Sequence, residues 1–340
     1  MQATDLLKDP HWFPVHFDFG QDTLTFLKTT RDALSKGSFL DQRFFLPDDR
    51  FQAVRLSQAL QAHIPRQPIS WIFHSAYCAS TLMARALDVN GKTLALKEPD
   101  ILMQLSNAFR MARRANLDTR DIERVRNLIF ALLSRRFSPD ERIIIKPANP
   151  ANYLLQDVLS CGEKALLMTS DLETFLTSVL RKGGDGTSFM RVLYNIYTLD
   201  GTGLSKISER DALRFTDLQV AAIIWQHQHE DLTAAAKIYP DQTRAINGLA
   251  FLPDRLKYMR AASDFLSMNL TDRDLETNVN GPVFTRNAKF SDQTFDNAER
   301  EAQNARLQET FADRLKSTID WQSKLDLGRG YTYLPAKPLL

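Results

Sequence analysis

The chain has 340 residues, 44% hydrophobic and 25% charged, with 43 Lys and Arg against 41 Asp and Glu for a formal net charge of +2. This balance belongs to a globular chain long enough for a sizeable core and excludes a disordered or fibrous one. Near-neutral charge argues against a nucleic-acid binder that neutralises many phosphates, and two cysteines, Cys78 and Cys161, build neither a disulfide framework nor a four-cysteine zinc site.

The N-terminus (MQATDLLKDPHWF) carries acids and an early Pro10 in place of a basic region and an apolar stretch, so no signal peptide is expected here. No apolar run approaches the roughly 20 residues that span a bilayer, and a cytoplasmic protein without membrane contact is expected. Turn-like stretches (DP, LPDD, HIPRQP) surround short helical patterns such as 51–63, which makes 1–68 an N-terminal extension packed on a main domain, 69–340. Pro65 and Pro68 punctuate the boundary.

Residues 69–73 (ISWIF) form a short apolar run with β-branched and aromatic members, which favours a buried strand. A turn, Ser75-Ala-Tyr-Cys-Ala-Ser-Thr81, and a helix-forming LMARAL follow it. Further apolar runs stand at 93–96, 143–145 and 165–168, separated by helical patterns at 121–137 and 171–180. Strands alternating with helices predict an α/β fold, a P-loop-type, mostly parallel sheet flanked by helices, with helical additions at both termini. From Gly183 the texture loosens: two glycine clusters around an aromatic segment mark 184–216 as a lid and as the place where acceptor selectivity would reside. A long helix is expected over 217–239, and helix again around 296–321.

In open α/β sheets ligands bind at the carboxyl ends of the strands. Here the four runs end in Ser75 to Thr81, in Lys97-Glu98-Pro99, in Lys146-Pro147-Ala148-Asn149 and in Thr169-Ser170-Asp171. The first has the layout of an anion-binding loop, with backbone N–H groups and the hydroxyls of Ser80 and Thr81, but it lacks the G-x-x-x-x-G-K-[ST] signature. His74 reads as a hydrogen-bonding structural residue. Cys78 stands where a helix start lowers a thiol pKa. Arg110, Arg113 and Arg114 read as a solvated helix face and Trp225 as core. His227 and His229 lie two apart on one helix and share no metal; no cluster has ligand spacing.

Taken in order, Phe73-His-Ser-Ala-Tyr-Cys-Ala-Ser-Thr-Leu82, Leu96-Lys-Glu-Pro99, Ile145-Lys-Pro-Ala-Asn149 and Ser170 through Ser178-Val-Leu-Arg-Lys182 resemble the blocks of sulfotransferases, α/β enzymes that use 3′-phosphoadenosine 5′-phosphosulfate (PAPS). The resemblance implies a 5′-phosphosulfate loop at Ser75, Cys78, Ala79, Ser80 and Thr81. It implies Glu98 as catalytic base, as in the heparan-type branch, and Lys146 as a catalytic cation. Ser170 and Ser178 stand at the cofactor's 3′-phosphate side, with Arg286 and Lys289 (FTRNAKF) as a basic 3′-phosphate loop. PAPS would be the co-substrate without a metal, and the acceptor a hydroxyl or amine of a small molecule or glycan. Two departures stand out: Tyr77 or Cys78 replaces a basic loop residue, and Ser170 replaces an arginine. Lys97, Lys146, Arg181 and Lys182 are the cations left to compensate. The alternatives are a nucleotide-binding or partner-binding pseudoenzyme of the same fold and an ATP-dependent P-loop kinase.

Overall fold

The computed structural model describes residues 3–201, 203–284, 297–327 and 337–340. Eight strands run in chain order: β1 (Trp12–Asp18), β2 (Thr23–Lys28), β3 (Phe51–Arg55), β4 (Ile69–His74), β5 (Thr93–Lys97), β6 (Arg142–Lys146), β7 (Lys164–Thr169) and β8 (Thr243–Asn247). The last five form one parallel sheet in the order β5-β6-β4-β7-β8. Its first strand is therefore central, and the chain leaves β4 towards both sides. That reversal opens a crevice at the carboxyl ends of β6, β4 and β7.

Every central strand is buried on both faces, and so reads as a continuous apolar run. Alternation then sends the side chains two ways. Trp71, Phe73, Leu96, Ile145 and Leu167 pack towards helices Asp100–Arg114 and Arg120–Leu133 and the N-terminal sheet. Ile72, Ala95, Ile144, Leu166 and Ile246 pack towards helices Ser80–Ala86 and Arg255–Phe265. A third apolar cluster joins helices Leu172–Arg181, Gly183–Tyr197 and Asp217–Ile238 with Leu315 and Leu327, and reaches the crevice through Ala76.

The N-terminal region carries the short helices Ala3–Lys8, Arg31–Lys36 and Leu56–Ala59, together with an antiparallel sheet, β1-β2-β3. The helix suggested for 51–63 is a strand and one short helix, Leu56–Ala59, because Phe51–Arg55 pairs residue by residue with β2. Only Val54 of β3 is buried, so the strand has no apolar alternation to betray it. Arginines tie this region to the main sheet. Arg31 reaches Asp88 at 2.7 Å and Glu141 at 3.0 Å. Arg135 donates to the carbonyls of Leu6, Leu7, Asp9 and Trp12 at 2.5–3.1 Å.

Residues 184–197, expected as part of a lid, lie in helix Gly183–Tyr197, whose Met190, Leu193 and Tyr197 are buried against the long helix. The long helix itself spans Asp217–Ile238 and opens with a capping box between Thr216 and Gln219. Arg110 does not belong to a solvated face: it is 1% exposed, paired with Asp200, and donates to the Pro150 carbonyl at 2.6 Å. His227 lies against the Tyr197 ring and 3.2 Å from Asp231, and His229 against the Trp225 carbonyl at 2.8 Å. Burial holds His229 down to about 4, hence neutral at physiological pH. Among the described residues no helix is long and apolar enough to cross a membrane.

Candidate functional site

Between β4 and helix Ser80–Ala86 the chain makes a tight loop in which Ala76, Tyr77 and Ala79 adopt left-handed backbone angles, with φ of 58°, 50° and 61°. Each such residue costs roughly 1–2 kcal/mol when it carries a side chain, and the loop has no glycine to avoid that cost. Tertiary hydrogen bonds hold it instead. Ser75 N–H and the Cys78 thiol both donate to the Met168 carbonyl, at 3.0 and 3.2 Å. Asn149 and Asn152 both donate to the His74 carbonyl, at 2.8 and 2.9 Å.

His74 completes this clasp. Its Nε2 lies 3.0 Å from the Pro147 carbonyl, which only accepts, so Nε2 carries the proton. Nδ1 is then free to accept from Ala76 N–H at 3.2 Å. His74 is thus the hydrogen-bonding structural residue expected. Cys78 departs from expectation: burial pushes its thiol pKa up and outweighs the lowering that hydrogen bonds from Ser80, at the helix start, supply.

Inside this frame several donors are left over. The N–H groups of Cys78 and Ala79 meet no protein acceptor among the described residues. The hydroxyls of Ser75 and Ser170, at the ends of adjacent strands, are buried without a hydrogen-bond partner among them. Ser80 and Thr81 are buried in the first helical turn beside them. Buried orphan donors are rare, and successive N–H groups in a loop of mixed handedness form a concave seat for an anion.

Glu98 and Lys146 stand next to this seat. β5 and β6 run in register, Lys97 opposite Lys146, so the residue after β5 meets the last residue of β6. Glu98 N–H donates to the Lys146 carbonyl at 2.7 Å, and Lys146 Nζ lies 2.5 Å from Glu98 Oε1. The lysine side chain is 1% exposed and the glutamate 18%, so the pair opens to solvent on the carboxylate side. Glu98 is itself left-handed, with φ 54°. Leu40 brackets it: its N–H bonds the Lys97 carbonyl at 2.8 Å and its carbonyl accepts from Asp100 N–H at 3.0 Å. Arg43, paired with Asp41 and stacked on Phe39, lies within range of the Glu98 charge.

The compensating cations sort by position. Lys97 points away from the crevice, with Nζ on the carbonyls of Ser35 and Ala95 at 2.8 and 3.0 Å. Burial lowers its pKa to about 8. Lys182 is exposed. Arg181 is the candidate that remains: its Nε is buried without a hydrogen bond among the described residues, and its charge is felt by Tyr77. Burial, and then the neighbouring Arg300, holds the Arg181 pKa down. Arg300 comes from helix Asn297–Thr310, which packs on helix Leu172–Arg181. Ser178 is buried on that same helix, one turn before Arg181. Arg286 and Lys289 lie outside the described residues.

Sequence reasoning missed the clasp of Asn149 and Asn152, the role of Arg300, and Gly248, which presses on the Cys78 carbonyl. The polar residues after β6 were a signal for the first; nothing local marks the other two. A surface cavity of about 400 Å³ lies at the opposite, amino-terminal edge of the sheet, lined by residues such as Arg66, Ser70, Arg142 and Lys164, and none of the expected site residues borders it. Among the described residues no three His, Cys, Asp or Glu are arranged to hold a metal ion.

No protein-family model and no curated protein matches the chain. Among solved structures it is similar to a sulfotransferase domain from the curacin biosynthetic pathway, at 15% identity and TM-score 0.42 over 73% of this chain and 99% of that one. It is also similar to a sulfotransferase from Alicyclobacillus acidocaldarius, at 13% identity and TM-score 0.36 over 75% of this chain and 97% of that one.

Proposed function

We propose that this chain is a sulfotransferase-like enzyme that takes a sulfuryl group from PAPS to a hydroxyl or amine of a small-molecule or glycan acceptor. The observation that carries this reading is the convergence at one crevice of unmatched donors and a carboxylate. Orphan N–H groups at Cys78 and Ala79 and orphan hydroxyls at Ser75 and Ser170 suit an anion, and the Glu98–Lys146 pair stands one strand away. The ordered sequence blocks point the same way.

When bound, PAPS supplies a sulfuryl group: the acceptor oxygen or nitrogen bonds to sulfur as the bridging S–O bond breaks towards adenosine 3′,5′-bisphosphate. Each residue then has a task that its place allows. Glu98, on the open side of its pair, takes the proton the acceptor loses. Lys146, buried behind it, has three N–H donors and one carboxylate, so it retains donors for sulfuryl or leaving-group oxygens. The loop N–H groups hold the 5′-phosphate. Ser178 and Arg181 serve the 3′-phosphate side together with Arg286 and Lys289, and Arg181 stands in for the arginine replaced by Ser170.

The test is calorimetric titration with adenosine 3′,5′-bisphosphate, with ATP and magnesium in parallel. Micromolar binding of the bisphosphate is expected, weakened at least tenfold in Lys146→Ala and Arg181→Ala but unchanged in Lys182→Ala. Magnesium-dependent ATP binding alone would replace this reading by a kinase. Binding without sulfuryl transfer to any acceptor would replace it by a pseudoenzyme.

A further inference from the structure

The geometry points to Gly248, at the exit of the last strand, as the residue that orients the anion loop. This inference rests on the donor reading above and adds to it a positioning residue from a strand that contributes none of the expected site residues.

β8 ends in Asn247 beside the end of β7, and Gly248 opens the short helix Gly248–Phe251. Gly248 is buried, and a Cβ on it would stand 2.1 Å from the Cys78 carbonyl oxygen, 2.7 Å from its carbon and 3.1 Å from the Cys78 Cα. All three are backbone atoms, so no side chain can swing aside. The glycine is required by space: the Cys78 carbonyl occupies the place a Cβ would need.

That contact decides where the loop's donors point. In a trans peptide the C=O and the following N–H are antiparallel. With the Cys78 carbonyl turned onto Gly248, the Ala79 N–H must face the opposite way, and it is one of the two loop N–H groups without a protein acceptor. The left-handed angle at Ala79 is thus held from two sides, by the Met168 carbonyl on Ser75 N–H and the Cys78 thiol, and by Gly248 on the Cys78 carbonyl.

Any added atom at 248 would displace the loop rather than β8. The strand is hydrogen-bonded to β7 along one edge, and on the other Ala245 exchanges bonds with Lys337 and Leu339, both at 3.0 Å. The loop carries three left-handed residues and is the softer partner. Relief to an ordinary contact needs a shift of about 1 Å, enough to spoil hydrogen bonds aimed at a bound anion.

The experiment compares Gly248→Ala with the wild type and with Gly184→Ala, whose Cβ would meet open space. Each is titrated with adenosine 3′,5′-bisphosphate and with adenosine 3′-monophosphate, which lacks the group the loop would hold. Gly248→Ala should weaken the bisphosphate about tenfold or more and leave the monophosphate unchanged, while Gly184→Ala changes neither. Equal affinities in Gly248→Ala and wild type, or an equal loss for both nucleotides, would overturn the inference. Hydrogen exchange at the amides of Ser75 and Met83, bonded to Met168 and Ala79, reads the loop without ligand and should quicken in Gly248→Ala. If the wild type binds neither nucleotide, the donor reading fails by itself, and this exchange comparison decides the positioning alone: unchanged exchange overturns it. Should Gly248→Ala not fold, Asn247→Ala removes the side chain that caps Leu249 N–H at 2.9 Å and should produce a smaller loss of the same selectivity. Loss of that selectivity's sign would sink the idea.

Discussion

Glu98 and Lys146 close the ends of neighbouring parallel strands, and each explains the other's state. An ammonium 1% exposed needs a counter-charge, and the carboxylate 2.5 Å away supplies it. The Glu98 side chain stays 18% exposed, so the carboxylate keeps contact with solvent. Replacing Glu98 by Gln retains size and a hydrogen-bond acceptor for Lys146 but removes the base. Turnover in Glu98→Gln should fall by about 10²–10⁴ with the bisphosphate affinity within a few-fold of wild type. Single-turnover rates beside calorimetry check this, and full activity in the variant would move the base elsewhere. Cys78, by contrast, is a packing residue. Its thiol pKa is raised by burial, and the thiol donates to the Met168 carbonyl.

At the scale of elements, the turn after β5 depends on the N-terminal region. Leu40 grips the backbone on both sides of Glu98, and Lys97 anchors to Ser35 and Ala95. Lys97 has a proton-linked consequence. Its folded pKa, about 8, is below the ordinary 10.5, so between those values the unfolded chain binds more protons than the folded one. This group's contribution to stability therefore rises with pH across that window and is flat below it, by roughly 3 kcal/mol at most. Lys97→Met lacks the titration. Denaturant unfolding at pH 7.5 and 10 should show the difference between wild type and variant moving in favour of the wild type as pH rises. A constant difference would mean that the lysine is hydrated.

For the molecule as a whole, residues of the N-terminal region share a hydrophobic cluster with one face of the parallel sheet, and the Arg135 guanidinium satisfies four of their carbonyls. Arg135→Ala orphans those acceptors together. It should cost about 3–5 kcal/mol in chemical denaturation, in one cooperative transition, with Arg135→Lys recovering part of it because an ammonium cannot fork. A loss below 1 kcal/mol would show that apolar packing alone docks the region. Because Leu40 belongs to it, partial release of the region would also loosen Glu98.

The local and periodic features were legible in the sequence. Buried parallel strands must be apolar throughout, so 69–73, 93–96, 143–145 and 165–168 announced the sheet, and polar residues after each marked the edge where a site is proposed. Spacing also marked the helices Arg120–Leu133 and Asp217–Ile238. What was not legible depends on contacts distant in the chain. β3 buries one residue of five, so no alternation separates it from a helix. Helix Gly183–Tyr197 overrides its glycines by packing on the long helix, and Arg110 looks like surface until Asp200 reaches it. A left-handed loop without glycine is invisible locally, because the energy that holds it comes from Met168, Asn149, Asn152 and Gly248, brought to it only by the parallel sheet. Composition and periodicity by themselves determined the sheet and the polar residues at the carboxyl ends of its strands. Only the tertiary structure decided which donors remain unmatched there, since whether a group is satisfied depends on partners that the chain supplies from elsewhere.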